Sequence, residues 1–324
     1  MTDSATTARD QLQRLIAQMH SNILGQDYVC ERMVLALLAD GHVLVEGYPG
    51  LAKTRAMKSL AKFMHADIKR IQFTPDISPS EVLGAEVYHM QGEIEIASFR
   101  PGPIFAHLIM ADEINRAPTQ VQAVLLEAME ERQVTKVGDT YKLPKMFMVM
   151  ATQNPIETAG TFPLPEASKD RFLMNIFIDY PNETTERDVM RLVREEQEQQ
   201  KEKPFEKVYE NQIMDARAEI QHVRSPEDIE EKIVRIVFAT RYPERYDEEL
   251  SSWIALGVSP RGTIALDRCT RARAWLYGRD EVTQEDLDSL LHDCLRHRLM
   301  LTEKAATQKI TPDRILDRIV ELVK

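Results

Sequence analysis

The sequence predicts an α/β core, a mostly parallel sheet flanked by helices and carrying β-hairpin insertions, followed by an all-helical domain. Three observations lead there. Short apolar runs alternate with segments of helical spacing up to about residue 180, two glycine-centred pairs of arms interrupt that alternation, and beyond Pro181 the chain turns charged and reads almost entirely as helix. At 324 residues the chain has room for two domains, placed at 1–180 and 181–324, the second opening with a linker.

Leu12, Leu15, Ile16 and Met19 have helical spacing, and "SNILGQDYV" separates them from a second apolar helix over about Tyr28 to Leu38. His42 to Val45 is then a short apolar run that ends at glycines, after which Met57, Leu60, Ala61 and Met64 return to helical spacing. Further strands are expected at Ile68 to Phe73, His107 to Ala111, Met146 to Ala151 and Leu173 to Ile178. A helix with the face Val121, Val124, Leu125, Ala128 and Met129 precedes the fourth strand of the series.

Two segments read as hairpins. In "VTKVGDTYKL" the turn is expected at Gly138-Asp139, and in "EVYHMQGEIEIASF" near Gln91-Gly92. Past the boundary, "ETTERDVMRLVREEQEQQKEKPFEK" is a solvated helix face or linker. Ser225-Pro226, Ser259-Pro260 and Thr283 with Asp286 have the chemistry of helix starts.

Composition narrows the function. A net charge of -11, with Lys and Arg scattered, speaks against nucleic acid as the default partner. The three cysteines, Cys30, Cys269 and Cys294, form no C-x-x-C pair, so they read as buried thiols of a reduced compartment rather than a zinc site or disulfide framework. No stretch approaches the ~18 uninterrupted apolar residues of a membrane span, and the first residues lack a signal-type apolar core, so a cytoplasmic location is expected.

The chemistry rests on "GYPGLAKT". In the pattern G-x-x-x-x-G-K-[ST], backbone N–H groups at a helix start cradle phosphates, the lysine adds charge and the hydroxyl ligates Mg2+. Gly47 and Gly50 supply the turn, with Tyr48, Pro49 and Leu51 between and beside them, and Lys53 and Thr54 stand at the required positions. Ala52 replaces the last glycine. Alanine is tolerated where the chain has already entered right-handed helical geometry, so the loop can still bind phosphate, although a plain strand-to-helix turn has the same glycines.

Support comes from "LIMADE", an apolar strand ending in Asp112 and Glu113. One acid there can hold Mg2+ through water and the other polarise an attacking water; the alternative is two solvated acids at a strand end. Asn154, in "TQNP", can orient that water or simply start a turn.

Taken together, these residues resemble the MoxR group of AAA+ ATPases over nearly the whole chain. The carriers are "ILGQ", "GYPGLAKT", "FRPGPIF", "ADEINRAP", "ATQNP", "LPEASKDRF", "SPRG" and "GRDEVTQEDL", in order. Alanine before the loop lysine is usual in that family. The resemblance implies a P-loop AAA+ core followed by a helical lid, ATP and Mg2+ as ligands, and assembly into a ring, expected to be a hexamer. It implies that Lys53, Thr54, Asp112 and Glu113 are the Walker residues and Asn154 the polar sensor. Arg171 resembles an arginine finger that reaches an adjacent subunit's γ-phosphate, against the plain reading of a surface arginine paired with Asp170. Arg261 resembles the second sensor of the lid; sitting in the first turn of a helix, it needs a compensating anion.

Gly25 and Gln26 resemble the segment near adenine, or form only a helix-to-helix turn. Arg116 faces either a neighbouring subunit or a local ion-pair partner. The segments around Val82 to Phe99 and Val134 to Lys142 either touch a client at the ring axis or cover sheet edges.

The function expected from this resemblance is ATP hydrolysis coupled to remodelling, maturation or assembly of a partner protein, through the core, the lid or a separate adaptor, for which von Willebrand factor A domains are the family's association. Two alternatives stand beside it. A nucleotide-gated scaffold has no need for Glu113, Asn154 and Arg171 together, and a nucleic-acid motor needs more basic residues than Lys136, Lys142 and Lys145 on the second hairpin.

Overall fold

The computed structural model describes residues 7–23, 25–47, 53–91, 94–136, 138–153, 160–198 and 207–323. Helix α1 (Ala8–Asn22) starts on a reciprocal cap between Thr7 and Asp10, and α2 (Asp27–Leu38) follows. Both precede β1 (Val43–Gly47), α3 (Lys53–Phe63), β2 (Ile68–Gln72) and the short α4 (Pro79–Leu83). A first hairpin, β3 (Gly84–Gln91) and β4 (Ile94–Pro101), leads to β5 (Leu108–Asp112) and α5 (Thr119–Glu131). A second, β6 (Gln133–Lys136) and β7 (Asp139–Lys142), leads to β8 (Met148–Gln153), α6 (Glu166–Lys169) and β9 (Met174–Ile178).

The five sheet strands run in the order β2-β5-β8-β1-β9, and every pairing among them is parallel. Their side chains alternate between two cores. Val43, Val45, Leu108, Met110, Met148 and Met150 enter the cluster shared with α1, α2 and α3, while Leu44, Ile109, Ala111, Val149 and Ala151 face α4 and α5. Burial on both faces explains why these strands read as continuous apolar runs.

The remainder is α7 (Glu183–Glu198), α8 (Glu210–Ile220), α9 (Glu227–Arg241), α10 (Glu248–Trp253), β10 (Ile254–Leu256), α11 (Pro260–Leu276), α12 (Gln284–Leu295), β11 (Met300–Leu301), α13 (Glu303–Thr307) and α14 (Pro312–Leu322). These helices do not stand apart from the sheet. The first buried cluster runs without a break from Leu12 and Val43 into Leu266, Leu290 and Ile319. Polar side chains add to the attachment: Arg32 Nε meets Asp293 Oδ2 at 2.7 Å, Arg296 Nη1 donates to the Asn175 carbonyl at 3.0 Å, and Arg298 Nη2 donates to the Phe172 carbonyl at 2.6 Å.

Four local expectations change. Lys136 pairs with Asp139, so Asp139 belongs to β7 and not to the turn expected at Gly138-Asp139, while Gly138 takes φ +85°; Val137 lies outside the described residues. Cross-strand pairing of Val134 with Tyr141 sets that register, which a Gly-Asp dipeptide cannot reveal. Pro226 takes the N-cap of α9, and the Ser225 hydroxyl is buried without a partner instead of capping. Ser259 and Thr283 do cap α11 and α12. The second half also holds a small antiparallel ribbon, β10 with β11, which its helical spacing hides. In the first hairpin Gln91 pairs with Ile94 and so belongs to β3 rather than to the turn expected near Gln91-Gly92; residues 92–93 lie outside the described residues.

Candidate active site

The motif residues collect at two opposite edges of the sheet. At the carboxyl edge, Gly47 ends β1 so close to β9 that a Cβ there would stand 2.7 Å from the Ile178 carbonyl oxygen. Lys53 and Thr54 open α3, and the Lys53 ammonium donates to the Gly47 carbonyl at 2.6 Å. Tyr48, Pro49, Gly50, Leu51 and Ala52 lie outside the described residues, as does Asn154.

The segment between α1 and α2 meets the same edge. Arg55, in the first turn of α3, donates through Nε to the Asn22 carbonyl at 2.8 Å. Gly25 has φ +73°, and a Cβ on it would come 2.1 Å from Thr185 Cγ2 in α7, so glycine is required on two counts. Gln26 occupies the N-cap of α2 without a side-chain capping bond.

Two strands away, Asp112 ends β5 and Glu113 leaves it in the left-handed region at φ 58°, a conformation that costs a non-glycine residue on the order of 1–3 kcal/mol. Several bonds hold the pair there. The Thr152 hydroxyl, on β8, donates to Asp112 Oδ1 at 2.7 Å and accepts the Glu113 N–H at 2.9 Å. Arg70 donates to Asp112 Oδ2 through Nη2 at 2.6 Å. Gln72 Nε2 donates to Glu113 Oε2 at 3.0 Å, and Arg116 Nε stands 3.1 Å from the same oxygen. Arg116 thus has the local ion pair as one partner.

Sequence reading missed Arg70, Gln72 and Thr152. Their only signal is register: Gln72 pairs with Asp112 across β2 and β5, and Ala151, beside Thr152, pairs with Ala111.

The donors suit the expected ligands. Thr54 and Asp112 carry hard oxygens of the kind Mg2+ prefers. Among the described residues no group of three or more His, Cys, Asp or Glu side chains is arranged to hold a metal.

Arg171 and Arg261 lie at the other edge. Arg171 precedes β9, whose first residue pairs with Val43 at the start of β1, while Gly47 pairs with Ile178 at the far end. At about 3.3 Å per residue, the strand alone separates the edges by roughly 13 Å. Glu130, at the end of α5, bridges the two arginines: Arg171 Nε donates to its Oε2 at 2.6 Å and Arg261 Nη2 to its Oε1. The surface pairing expected between Arg171 and Asp170 is replaced by this bridge. Asp170 instead accepts from Ser259 and Arg298 and stands 3.8 Å from Arg261 Nη1. The anion that Arg261 needs in a helix's first turn is therefore supplied twice.

A cleft of about 270 Å3 opens here, and Arg132, Arg171, Arg261, Arg268 and Arg298 line it against Asp40, Glu130 and Asp170. His42 forms part of its floor, where burial and nearby Arg132 push its pKa down to about 3, so the ring is neutral. It accepts the Val149 N–H at Nδ1 and is a structural group. A larger cavity of about 530 Å3 lies between β9 and the second half, with Glu46 on its wall.

Residues 42–174 match the ATPase family associated with various cellular activities, and residues 249–319 match an AAA lid domain. The chain is 40% identical over 314 residues to Chaperone MoxR1 of Mycobacterium tuberculosis, covering 96% of this chain and 81% of that protein. It is 32% identical to Protein MoxR of Methylorubrum extorquens over 96% of this chain and 94% of the other. A crystal structure of a candidate ATPase from Cytophaga hutchinsonii superposes with a TM-score of 0.90 at 39% identity, covering 98% of this chain and 95% of that one.

Proposed function

From the premise that this chain belongs to the MoxR family of AAA+ ATPases, we propose that it works as a ring, a hexamer, that couples ATP hydrolysis to remodelling, maturation or assembly of a client protein. It is an ATPase of chaperone-like family character. In this reading Lys53 and the amides of Gly47 to Ala52 hold the phosphates, with Gly25 and Gln26 beside the adenine. Thr54 and Asp112 would hold Mg2+, which would supply charge neutralisation to the phosphates. Glu113 polarises the attacking water, oriented by Asn154. Residues 1–180 form the nucleotide-binding core and 181–324 the lid.

One observation carries the assembly reading. Lys53, Thr54, Asp112 and Glu113 sit at the carboxyl edge of the sheet, whereas Arg171 and Arg261 sit at its amino edge, beyond the length of β1. One subunit cannot bring them onto one triphosphate. A head-to-tail contact, which closes into a ring when its rotation closes, sets the arginine edge of one subunit on the phosphate edge of the next. Arg261 then serves the neighbour's γ-phosphate rather than its own chain's.

The two hairpins support a client-facing surface. Phe99 of β4 stacks on Tyr141 of β7 at 4.4 Å between ring centroids, and Phe105 packs against both, so the hairpins share an aromatic base. A shared base lets them move together when nucleotide state changes. A von Willebrand factor A adaptor and a cytoplasmic location complete the proposal; among the described residues, no helix is long and apolar enough to cross a membrane.

The test is ATP turnover per subunit, with Mg2+ and without client, across a wide range of protein concentration. A specific rate that rises with assembly and then plateaus is expected. Full turnover by a species that sedimentation shows to be monomeric would overturn the two-subunit site.

A further inference from the structure

Resting on that two-subunit site, we infer that Glu130 is a positioning residue that aims Arg171 at the triphosphate of the neighbouring subunit. The carboxylate joins three separate parts of the chain. It lies in the last turn of α5, Arg171 belongs to the turn before β9, and Arg261 belongs to the first turn of α11 in the lid.

Its grip on Arg171 is side-on. Glu130 Oε2 takes the Nε–H at 2.6 Å, and the two Nη groups have no hydrogen-bond partner among the described residues. Those groups form the planar fork that meets phosphate oxygens, so the bond fixes the guanidinium plane and leaves its working end free. Arg261 is held differently: its Nη2 donates to Glu130 and its Nη1 stands 3.8 Å from Asp170, so its fork faces carboxylates and it acts here as the second cation that anchors Glu130.

Charge explains why such a holder is needed. The cleft gathers five guanidinium groups, and Arg261 also sits where the helix dipole disfavours a cation. Without Glu130, Arg171 and Arg261 repel each other and move apart into solvent, each more than 30% exposed already. Glu130 itself is 36% exposed, so replacing it leaves the buried core intact.

A Glu130→Gln variant keeps the shape and loses the charge. Since misplacement of about 1 Å can cost around 100-fold, turnover at saturating ATP is expected to fall 10- to 100-fold with KM for ATP little changed. The decisive measurement mixes subunits. Glu113→Gln subunits present intact arginines but lack the water-polarising acid, so adding them to Glu130→Gln subunits should raise the rate per Glu130→Gln subunit toward the unaltered value. Exchange is verified beforehand with differently labelled subunits.

A Glu130→Gln protein with normal turnover overturns the proposal, as does one that is faster, which would make Glu130 a blocking group. Absence of recovery on mixing overturns it too. Arg171→Ala run in the same mixing experiment tests the underlying reading separately. If Arg171→Ala is recovered by Glu113→Gln and Glu130→Gln is not impaired, only the role of Glu130 fails; if Arg171→Ala keeps full activity or is not recovered, the two-subunit site fails.

Discussion

Thr152 ties β8 to the acid pair that ends β5: its hydroxyl donates to Asp112 Oδ1 at 2.7 Å while accepting the Glu113 N–H at 2.9 Å. One buried oxygen thereby sets the direction of a carboxylate and holds the left-handed turn that presents the next one. Thr152 is 1% exposed, so both bonds are shielded from solvent.

Thr152→Val keeps the shape and removes both bonds. Stability should fall by about 1–3 kcal/mol, the cost of leaving buried polar groups unsatisfied. Turnover should fall further than that stability loss explains, because Glu113 is no longer fixed. Urea unfolding and ATPase assays on one preparation check both, and an unchanged kcat would show that the turn is held by Gln72 and Arg116 alone.

Glu113→Gln should abolish turnover while leaving ATP binding and assembly unchanged, since the amide keeps the size of the side chain and loses its ability to polarise water. Equilibrium binding of labelled ATP, sedimentation and turnover distinguish the outcomes. Appreciable turnover by this variant would take the water-polarising role away from Glu113.

The lid attachment makes its own prediction. Asp293 is 1% exposed and lies between Arg32 and Arg296, at 2.7 and 3.0 Å. Asp293→Ala removes the shared anion of two guanidiniums that keep Glu31 and Asp313 as partners, so the loss should fall below the about 3–5 kcal/mol of breaking an isolated buried pair. Chemical unfolding should show that loss, and limited proteolysis should cut between α2 and α12 sooner than in the unaltered protein. A loss under 1 kcal/mol would mean that the apolar cluster alone holds the lid.

Acid should weaken the fold well above the carboxylate range. Burial lowers the pKa of His42 to about 3 and also holds that of His297 below its ordinary value near 6.5. The unfolded chain therefore binds protons that the folded chain refuses. Stability contributed by each neutral ring is complete above about pH 6.5 and declines as pH falls, by roughly 1.4 kcal/mol per pH unit for each histidine until the folded pKa is reached. Urea midpoints from pH 7.5 to 5 should show this slope, and His42→Asn should flatten it by one proton.

Some features were legible because the physics that makes them is local. A strand buried on both faces must be apolar throughout, so Val43–Gly47 and Leu108–Asp112 stand out among charged neighbours. Caps such as Ser259 and Thr283 act within one helical turn, and the three cysteines are buried as their scattered positions suggest. Ser225 misleads because a hydroxyl before proline caps only if the chain enters the helix there, and Pro226 takes that place. Asp139 falls in a strand rather than in the turn of the second hairpin because cross-strand pairing, not the turn dipeptide, decides register.

By itself the sequence determined the order of strands and helices, the glycine-lysine loop, the acid pair, and the need of Arg261 for an anion. Those follow from spacing, propensity and dipole, all of which act over a few residues. Tertiary structure alone decided that Glu130 answers that need across 131 residues of chain, that Arg70, Gln72 and Thr152 surround the acids, and that the arginines lie at the far edge of the sheet from Lys53. Such placements depend on strand order and register, which the packing of two cores sets and no short stretch of sequence encodes.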